Sequence, residues 1–330
     1  MDEENADSAG PTGGEERIER TQTPPAEAFA VLQSEVRLAI LRVLWDAPET
    51  PIPYAELERR LPLDVNNFYY HVEQLVGQFV RRTEDGYELR YAGERVIRSV
   101  VAGGMTEDIS IGPVEIRSKC PYCTAPLIIQ YDDQILTASC SDCGGVVRDE
   151  AFPSGTIMSY AFPPAGALGR TPEELLSAAH VFYDAQITPM LNGVCPHCAA
   201  TVDHTVTGCE DHERDPEGLC PTCDTRFAAW TTHECRRCGY SRTFVPWFKL
   251  LTEPAVVAFY HEHGGFDRCI PFIELTDENA PFVRDITQTF LSADPVRVRV
   301  EMPLGDARLT VVVDGELDIV DIERSVPGRS

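Results

Sequence analysis

The chain has very little lysine and far fewer basic than acidic residues. Among 330 residues the only lysines are Lys119 and Lys249, so arginine supplies nearly all of the permanent positive charge. The 53 acidic residues outnumber the 28 lysines and arginines, which leaves a net charge of −25. The basic patch that usually marks nucleic-acid binders is therefore missing. An acidic chain that keeps 43% apolar residues is typical of a high-salt cytoplasm, where cations screen the repulsion between its acidic side chains. In such a cytoplasm the lack of a basic patch argues only weakly against DNA binding.

Long apolar runs and catalytic motifs are missing too. No run of 18 apolar residues is present, so no membrane span is expected. Residues 1–24 are acidic and aperiodic, which predicts a disordered tail rather than a signal peptide. The patterns G-x-x-x-x-G-K-[ST], G-x-S-x-G and H-E-x-x-H do not occur, and no acid–base pair is evident. We therefore expect a cytoplasmic protein that is not an enzyme.

Residues 25–104 contain no cysteine and follow the element order of a winged helix-turn-helix domain. Ser34 is placed as the N-cap of an amphipathic helix, and the segment PETPIP ends that helix. Asp64 is placed as the cap of a helix over residues 64–79. Apolar residues recur in it at 3-4 spacing and predict a buried stripe: Val65, Phe68, Val72, Leu75 and Phe79. Asp85-Gly86 between alternating segments predicts a hairpin, which a last helix follows.

The other face of the 64–79 helix carries uncharged hydrogen-bonding groups that suit base edges and phosphates in a major groove. These candidate DNA-binding residues are Asn66, Asn67, Tyr70, His71 and Gln74. On the predicted hairpin and just after it, the candidates for phosphate contacts are Arg81, Arg82 and Arg90. The same domain could also serve only protein contacts or dimerisation, and that alternative stays open.

Ten of the twelve cysteines form five Cys-x-x-Cys pairs, the spacing at which a tight turn points two thiolates at one zinc ion. Two pairs, Cys120/Cys123 and Cys140/Cys143, flank two apolar strands that turn at Asp132-Asp133. This pattern predicts a zinc ribbon. Four protein ligands leave no open coordination position, so the expected zinc is structural rather than catalytic.

A second cluster offers eight candidate ligands, enough for two zinc ions: Cys195, Cys198, Cys209, His212, Cys220, Cys223, Cys235 and Cys238. Sequential pairing would join neighbouring pairs, whereas nested pairing would join the outer two pairs and the inner two. The segments of about ten residues after Cys198 and after Cys223 contain no central Gly or Pro. An unbroken strand of that length spans roughly 33 Å, too far for one ion. Strand length thus favours nesting, and two or three Zn²⁺ per chain are expected.

The remaining segments predict an α+β multidomain protein. A capping box at Thr171 begins a helix that should end before Pro189. After residue 246 we expect a helix in PAVVAFYHEHG, a short helix over residues 285–293 and a three-stranded meander, with Cys269 as a lone buried thiol. The expected divisions are a tail at 1–24, the winged helix-turn-helix at 25–104, the zinc ribbon at 115–150, a connector at 151–193, the second zinc module at 194–245 and a ligand- or partner-binding α+β module at 246–330.

Three stretches, PAEAFAVLQSEVRLAILRVLW, FYYHVEQLVGQFVRRTEDGYELRYAGERVI and PAVVAFYHEHG, resemble the ArsR-type winged-helix regulators of haloarchaea, which carry a Cys-rich C-terminal region. The resemblance implies a transcriptional regulator that binds double-stranded DNA. Metal-sensing members keep cysteines in or beside the winged helix, and this chain has none there. Two alternatives remain, an initiation accessory resembling archaeal transcription factor E and an interaction scaffold. A homodimer is left open, and nothing names an effector.

Overall fold

The computed structural model describes residues 23–62, 67–263 and 285–325. The chain divides into two compact units, with the boundary between Val100 and Val101. Both combine helices with small antiparallel sheets. No helix within the described ranges has the length and apolar character needed to cross a membrane. The predicted roles of Asp64, Val65, Asn66 and Cys269 lie outside the described residues.

Over residues 23–62 and 67–101 the chain forms four helices, a hairpin and a closing helix. Their bounds are α1 Pro25–Leu32, α2 Glu35–Asp46, α3 Tyr54–Arg60, α4 Phe68–Leu75, β1 Val80–Arg82, β2 Tyr87–Leu89 and α5 Tyr91–Val101. Ser34 is the N-cap of α2, although its side chain makes no capping hydrogen bond. The predicted apolar stripes form the core, since Ile40, Leu44 and Val72 are fully or almost fully buried. Burial of such side chains supplies most of the stability of short helices.

Helix α4 is shorter than the predicted helix over residues 64–79. Asn67 precedes it in the left-handed region at φ 61°, and Val76 after it is extended. Gly77 at φ 91° turns the chain, so Phe79 reaches the core from a turn instead of from the last helical position. The hairpin β1–β2 forms as predicted, with Arg82 opposite Tyr87. Gly86 is required there, because a Cβ would lie 2.1 Å from the carbonyl oxygen of Ile52.

The second unit begins with a four-stranded antiparallel meander packed on a long helix. The elements are β3 Ile111–Lys119, β4 Pro126–Asp132, β5 Ile135–Cys140, β6 Thr156–Ala161, α6 Pro164–Ala167 and α7 Pro172–Leu191. The sequence predicted only the middle hairpin, whose turn lies at Asp133-Gln134, one residue later than expected. The Thr171 capping box is present, but α7 continues through Pro189 to Leu191. Phe182 on this helix is 42% exposed.

A three-stranded sheet follows, made of β7 Val202–Gly208, β8 Ala229–Cys235 and β9 Ser241–Phe244. Strands β7 and β8 pair antiparallel over their full length, with Val202 opposite Cys235 and Gly208 opposite Ala229. Gly208 needs its bare backbone, because a Cβ would lie 2.0 Å from the ring of Phe290. The two long strands therefore separate the cysteines at their two ends.

The last part of the chain packs a second four-stranded meander on two helices. The elements are α8 Trp247–Leu250, α9 Pro254–Glu262, β10 Thr287–Ala293, β11 Val296–Leu304, β12 Ala307–Asp314 and β13 Ile319–Ser325. The prediction of a helix over residues 285–293 is wrong, because this segment is strand β10. Its run Thr-Gln-Thr-Phe alternates between faces and buries Phe290, which suits a sheet better than a helix. The three predicted strands are β11, β12 and β13.

Candidate metal centres

Three clusters in the second unit each bring four ligand atoms within 4.8 Å of one another. The ribbon centre consists of Cys120, Cys123, Cys140 and Cys143. The outer centre consists of Cys195, Cys198, Cys235 and Cys238, and the inner centre of Cys209, His212, Cys220 and Cys223. This grouping is the nested arrangement. The full-length pairing of β7 with β8 holds the outer and inner centres at opposite ends of one ladder.

The distances between sulfurs suit a tetrahedral ion. In the ribbon centre Sγ of Cys123 lies 3.3 Å from Sγ of Cys140, and the Cys120–Cys143 distance is 3.7 Å. The outer centre has cross-pair distances of 3.5 and 3.6 Å. Zinc–sulfur bonds of about 2.3 Å in a tetrahedron place sulfurs about 3.8 Å apart. Each cluster could therefore hold a metal ion such as zinc with little rearrangement.

Four of the five Cys-x-x-Cys loops share one backbone conformation. In the first, the N–H of Cys120 donates to the carbonyl of Ala125 at 2.8 Å, and the N–H of Thr124 donates to the carbonyl of Cys120 at 3.0 Å. The same two bonds recur in the loops that begin at Cys195, Cys220 and Cys235. The residue after the second cysteine is left-handed in each: Thr124, Ala199, Asp224 and Gly239. The backbone thus orients each pair of thiols toward its ion.

Backbone N–H groups inside the loops point at the first sulfur of each pair. Five such contacts of 3.4 Å join Tyr122 to Cys120, Asp142 to Cys140, His197 to Cys195, Thr222 to Cys220 and Arg237 to Cys235. Donors aimed at sulfur favour the thiolate, the form that binds metal. Accordingly, the backbone N–H of Cys238 lowers the pKa of the Cys235 thiol to about 6. The hydrogen bond between Cys120 and Cys143 lowers the pKa of Cys143 to about 5 and raises the pKa of Cys120 well above its usual range. Burial raises the pKa of Cys140 to about 11, so the preference for the thiolate is confined to part of each cluster.

His212 is held in the tautomer that a metal ligand needs. Its Nε2 lies 3.1 Å from the carbonyl oxygen of Arg226, so Nε2–H donates there. The other nitrogen, Nδ1, then carries a lone pair and lies 3.4 Å from Sγ of Cys223. Burial lowers the pKa of His212, which favours the neutral ring. The neighbouring histidines, His197 and His233, are not among the ligand groups.

Arginine side chains connect the ribbon centre to the inner centre. The buried guanidinium of Arg226 donates to the carbonyls of Gly145 and Glu217, and its Nη2 lies 3.7 Å from Sγ of Cys143. Its Cζ also lies 4.2 Å from the ring centroid of Tyr122. Arg148 pairs with three acids of the inner-centre loops, namely Asp215, Glu217 and Asp224. Neither arginine could be predicted from the sequence, because most of their partners are at least 67 residues away.

The residues predicted to contact DNA lie on α4 and the β1–β2 hairpin of the first unit. Tyr70 is 56% exposed, Asn67 and Gln74 are exposed, and His71 is half-buried. Arg90 is exposed just after β2. Tyr69 is also 56% exposed and is not among the predicted DNA contacts. Asn66 lies outside the described residues.

Both hairpin arginines pair with acids. Arg81 donates to the carboxylate of Glu88 at 2.6 Å, and Arg82 forms an ion pair with Glu73. The guanidinium of Arg82 also faces Tyr87, 5.4 Å from its ring centroid. These pairs are partly exposed, so each ion pair contributes only about 1 kcal/mol or less of stabilisation. A phosphate could therefore compete for either guanidinium.

Comparisons with known protein families match both units. Residues 25–100 match a domain of unknown function, DUF7347. No curated protein and no solved structure matches the chain. Residues 117–319, which include all three centres and more than half of the chain, match a second domain of unknown function, DUF7351. The chain therefore belongs to the DUF7351 family.

Proposed function

We propose that this chain is a DNA-binding transcriptional regulator of a high-salt cytoplasm. In this proposal the first unit is the winged helix-turn-helix domain. The second unit holds three structural Zn²⁺ ions and acts as a region for sensing or partner binding. The order of three helices, a hairpin and a closing helix after α1 supports the first assignment.

The observation that carries the proposal is the polar face of α4. Within α4, Tyr70 and His71 lie one turn before Gln74, so these three share one side of the helix. Asn67 precedes the first turn on a left-handed backbone. Phe68, Val72 and Leu75 on the other side are buried in the core. Exposed amide and hydroxyl groups without charge suit the donor and acceptor pattern of base edges. The hairpin that follows supplies arginines for phosphate contacts.

Zinc is proposed at all three centres on the chemistry of the donors. Four thiolates, or three thiolates with one imidazole, form the sets typical of structural zinc sites. Such sets leave no coordination position for a substrate or a water, so catalysis by the metal is not part of the proposal. Thiolate centres also persist best in a reducing compartment, which agrees with a cytoplasmic protein.

The pairing of the hairpin arginines favours a second candidate function. Glu88 and Glu73 neutralise Arg81 and Arg82, and the whole chain is strongly acidic. A domain with that charge pattern suits contacts with a basic protein surface. The chain would then act as an initiation accessory resembling archaeal transcription factor E, or as an interaction scaffold.

Genome-wide crosslinking in a host that grows in molar potassium separates these functions. A regulator should give discrete sites that share a sequence motif, and Gln74→Ala should remove most of the enrichment. Gln33→Ala, a change of an exposed glutamine at the end of α1, serves as the matched control. Enrichment at all active promoters would favour the initiation accessory. Absence of any enrichment would contradict DNA binding and favour the scaffold.

A further inference from the structure

A half-open cavity of about 590 Å³ lies in the second unit. Strand β6 and helix α7 contribute Met158 and Tyr183 to its wall, and the β7–β9 sheet contributes Trp230 and Phe244. Its volume falls in the range of cavities that enclose small molecules. All of the lining residues belong to the described part of this unit.

The lining is rich in aromatic rings that hold one another in place. Nine aromatic residues of the described part of the chain face the cavity. Tyr160 and Tyr183 stack with their centroids 4.1 Å apart. Phe227 meets Trp230 edge to face at 5.9 Å. Because these rings brace one another, a ligand meets a wall that is already formed and loses little free energy in ordering it.

The charge of the lining residues determines which class of ligand the cavity favours. Asp149 is the single charged residue among those that line the cavity. It is exposed, and one carboxylate oxygen already accepts the backbone N–H of Ala151 at 2.8 Å. Among the described residues no arginine or lysine lines the wall, so an anionic group would lose its hydration without gaining a partner. The lining therefore favours a neutral molecule.

We propose that this cavity binds a neutral, apolar small molecule with two or three aromatic rings. Ring faces and edges of the wall suit stacking and edge-to-face contacts with such a molecule. The exposed Thr207 and Thr243 line the same cavity and place hydroxyl groups near a polar substituent. This site would be the sensing site of the regulator proposed above, and only that role rests on the proposed function.

The cavity shares its wall with two metal centres. Pro121 and Tyr122, which line it, are the two residues between Cys120 and Cys123 of the ribbon centre. Thr225, also in the lining, follows Cys223 of the inner centre by two residues. A bound molecule therefore contacts loops that hold metal. Occupancy should slow the loss of metal from both centres.

A matched pair of dyes tests the ligand class. N-Phenyl-1-naphthylamine is neutral, and 1-anilinonaphthalene-8-sulfonate presents the same rings with a negative charge. Each would be titrated by fluorescence into the intact metal-loaded protein in molar KCl. We expect one saturable site for the neutral dye, with at least tenfold weaker binding of the sulfonate. Equal affinities, or no saturable binding of the neutral dye up to its solubility, would overturn the proposal.

Two substitutions on one strand locate the site. Thr207→Trp should fill the cavity mouth and weaken binding of the neutral dye at least tenfold. Thr205→Trp, on the same face two residues away and also exposed, lies outside the lining and should leave binding unchanged. Both variants must keep the metal content and circular dichroism of the parent. Equal loss in both variants, or in neither, would place the dye elsewhere and contradict this site.

The rate of metal loss from the same protein tests whether the cavity and the two metal centres share a wall. With the neutral dye bound, transfer of metal to a chromogenic chelator should slow severalfold for two ions and remain unchanged for the third. An equal rate with and without dye would contradict the shared wall. None of these measurements requires DNA. Failure of dye binding would remove the site without affecting the proposed DNA contacts, and failure of DNA binding would leave the site intact.

Discussion

The guanidinium of Arg226 lies 3.7 Å from Sγ of Cys143, and the carbonyl of the same residue accepts the Nε2–H of His212 at 3.1 Å. One residue therefore contacts ligands of two metal centres. Its guanidinium lies next to one sulfur of the ribbon centre, where four thiolates around one divalent ion would leave a net negative charge. Its backbone fixes the ligand tautomer of the inner centre. This relationship makes the two centres one structural assembly.

Replacement of Arg226 should weaken both centres together. Arg226→Leu removes the donors that satisfy the carbonyls of Gly145 and Glu217, and each unsatisfied buried group costs about 1–3 kcal/mol. We expect the free energy of unfolding of the second unit to fall by about 3 kcal/mol. Two of the three metals should also transfer faster to a chelator.

Arg236→Leu is the matched control for that change. Arg236 forms a bidentate pair with Asp203, and its side chain is 66% exposed. An exposed pair contributes about 1 kcal/mol or less, so this variant should stay close to the parent. Comparable destabilisation by both substitutions would contradict the bridging role of Arg226.

Removal of metal should unfold the second unit and spare the first. Structural zinc contributes on the order of 10–16 kcal/mol of apparent binding free energy at neutral pH, whereas the first unit contains no cysteine. With excess chelator, hydrogen exchange should become fast in β4, β5, β7 and β8 and stay slow in α2 and α4. Elemental analysis before chelation should give three zinc ions per chain. Fewer than two would contradict the ribbon interpretation.

Single cysteine variants should show the nested grouping in solution. Cys209→Ser and Cys220→Ser should each lose the same metal, because both belong to the inner centre. Cys195→Ser and Cys235→Ser should each lose the metal of the outer centre. Cobalt substitution with absorption spectroscopy distinguishes a site with a histidine ligand from a site with four thiolates. If Cys195→Ser removed the same ion as Cys209→Ser, the ligands would be paired sequentially instead.

Local pattern was enough to predict much of the first unit. The 3-4 spacing of apolar residues located α2 and α4, and Asp85-Gly86 located the hairpin. The spacing of apolar residues did not predict secondary structure correctly where pairing between distant strands decides it. Residues 287–293 form a strand because β11 pairs with them, and β3 is held in the sheet by its pairing with β4. Single-sequence periodicity carries no information on such partners.

The candidate metal centres likewise have some features that the sequence predicts and others that depend on long-range contacts. Cysteine spacing identified ten of the eleven candidate thiol ligands, and strand length favoured the nested grouping, because both are local constraints on chain reach. The role of Arg226 required knowledge of which distant segments meet. The cavity could not be predicted either, since its aromatic residues come from segments separated by more than 100 positions.

Asp184 should make the stability of the second unit depend on pH. Burial raises the pKa of its carboxyl to about 6, and Oδ2 is buried without a hydrogen-bond partner among the described residues. Because the folded pKa exceeds the unfolded value, the stability that protonation provides is present at low pH and is lost as pH rises toward 6. Asp184→Asn should therefore stabilise the unit by about 1 kcal/mol at pH 7.5, after allowance for partial exposure, and by less at pH 5.

Asp203→Asn provides the comparison of opposite sign. The hydrogen bonds from Arg236 lower the pKa of Asp203, so loss of that carboxylate should slightly destabilise the unit at pH 7.5. Urea unfolding at both pH values, on metal-loaded protein, measures the two effects. A stabilisation by Asp184→Asn that does not change with pH would show that the buried charge is not its cause.

Release of the hairpin arginines from their acidic partners should strengthen DNA binding if the hairpin contacts phosphates. Glu88→Gln frees Arg81, whose side chain is 65% exposed. Each additional phosphate contact made by a free arginine releases counterions, so affinity should rise about two- to fivefold for every DNA sequence and the salt dependence should become steeper. Glu94→Gln, which frees Arg98 on α5, is the matched control and should change neither quantity.

Base readout by α4 should respond differently to substitution. If α4 reads base edges as proposed, Gln74→Ala and Asn67→Asp should each cost about 1–3 kcal/mol on a specific site and little on unrelated DNA, because they would remove groups that face those edges. Aspartate is chosen at position 67 because it tolerates the left-handed backbone there. Fluorescence anisotropy in molar potassium, on a promoter identified by crosslinking, measures all four variants. If Glu88→Gln tightens binding while the α4 variants leave the specific site unchanged, the hairpin contacts DNA and α4 does not read it. If none of the four differs from the parent, the first unit makes protein contacts, as the pairing of its arginines with acids would then imply.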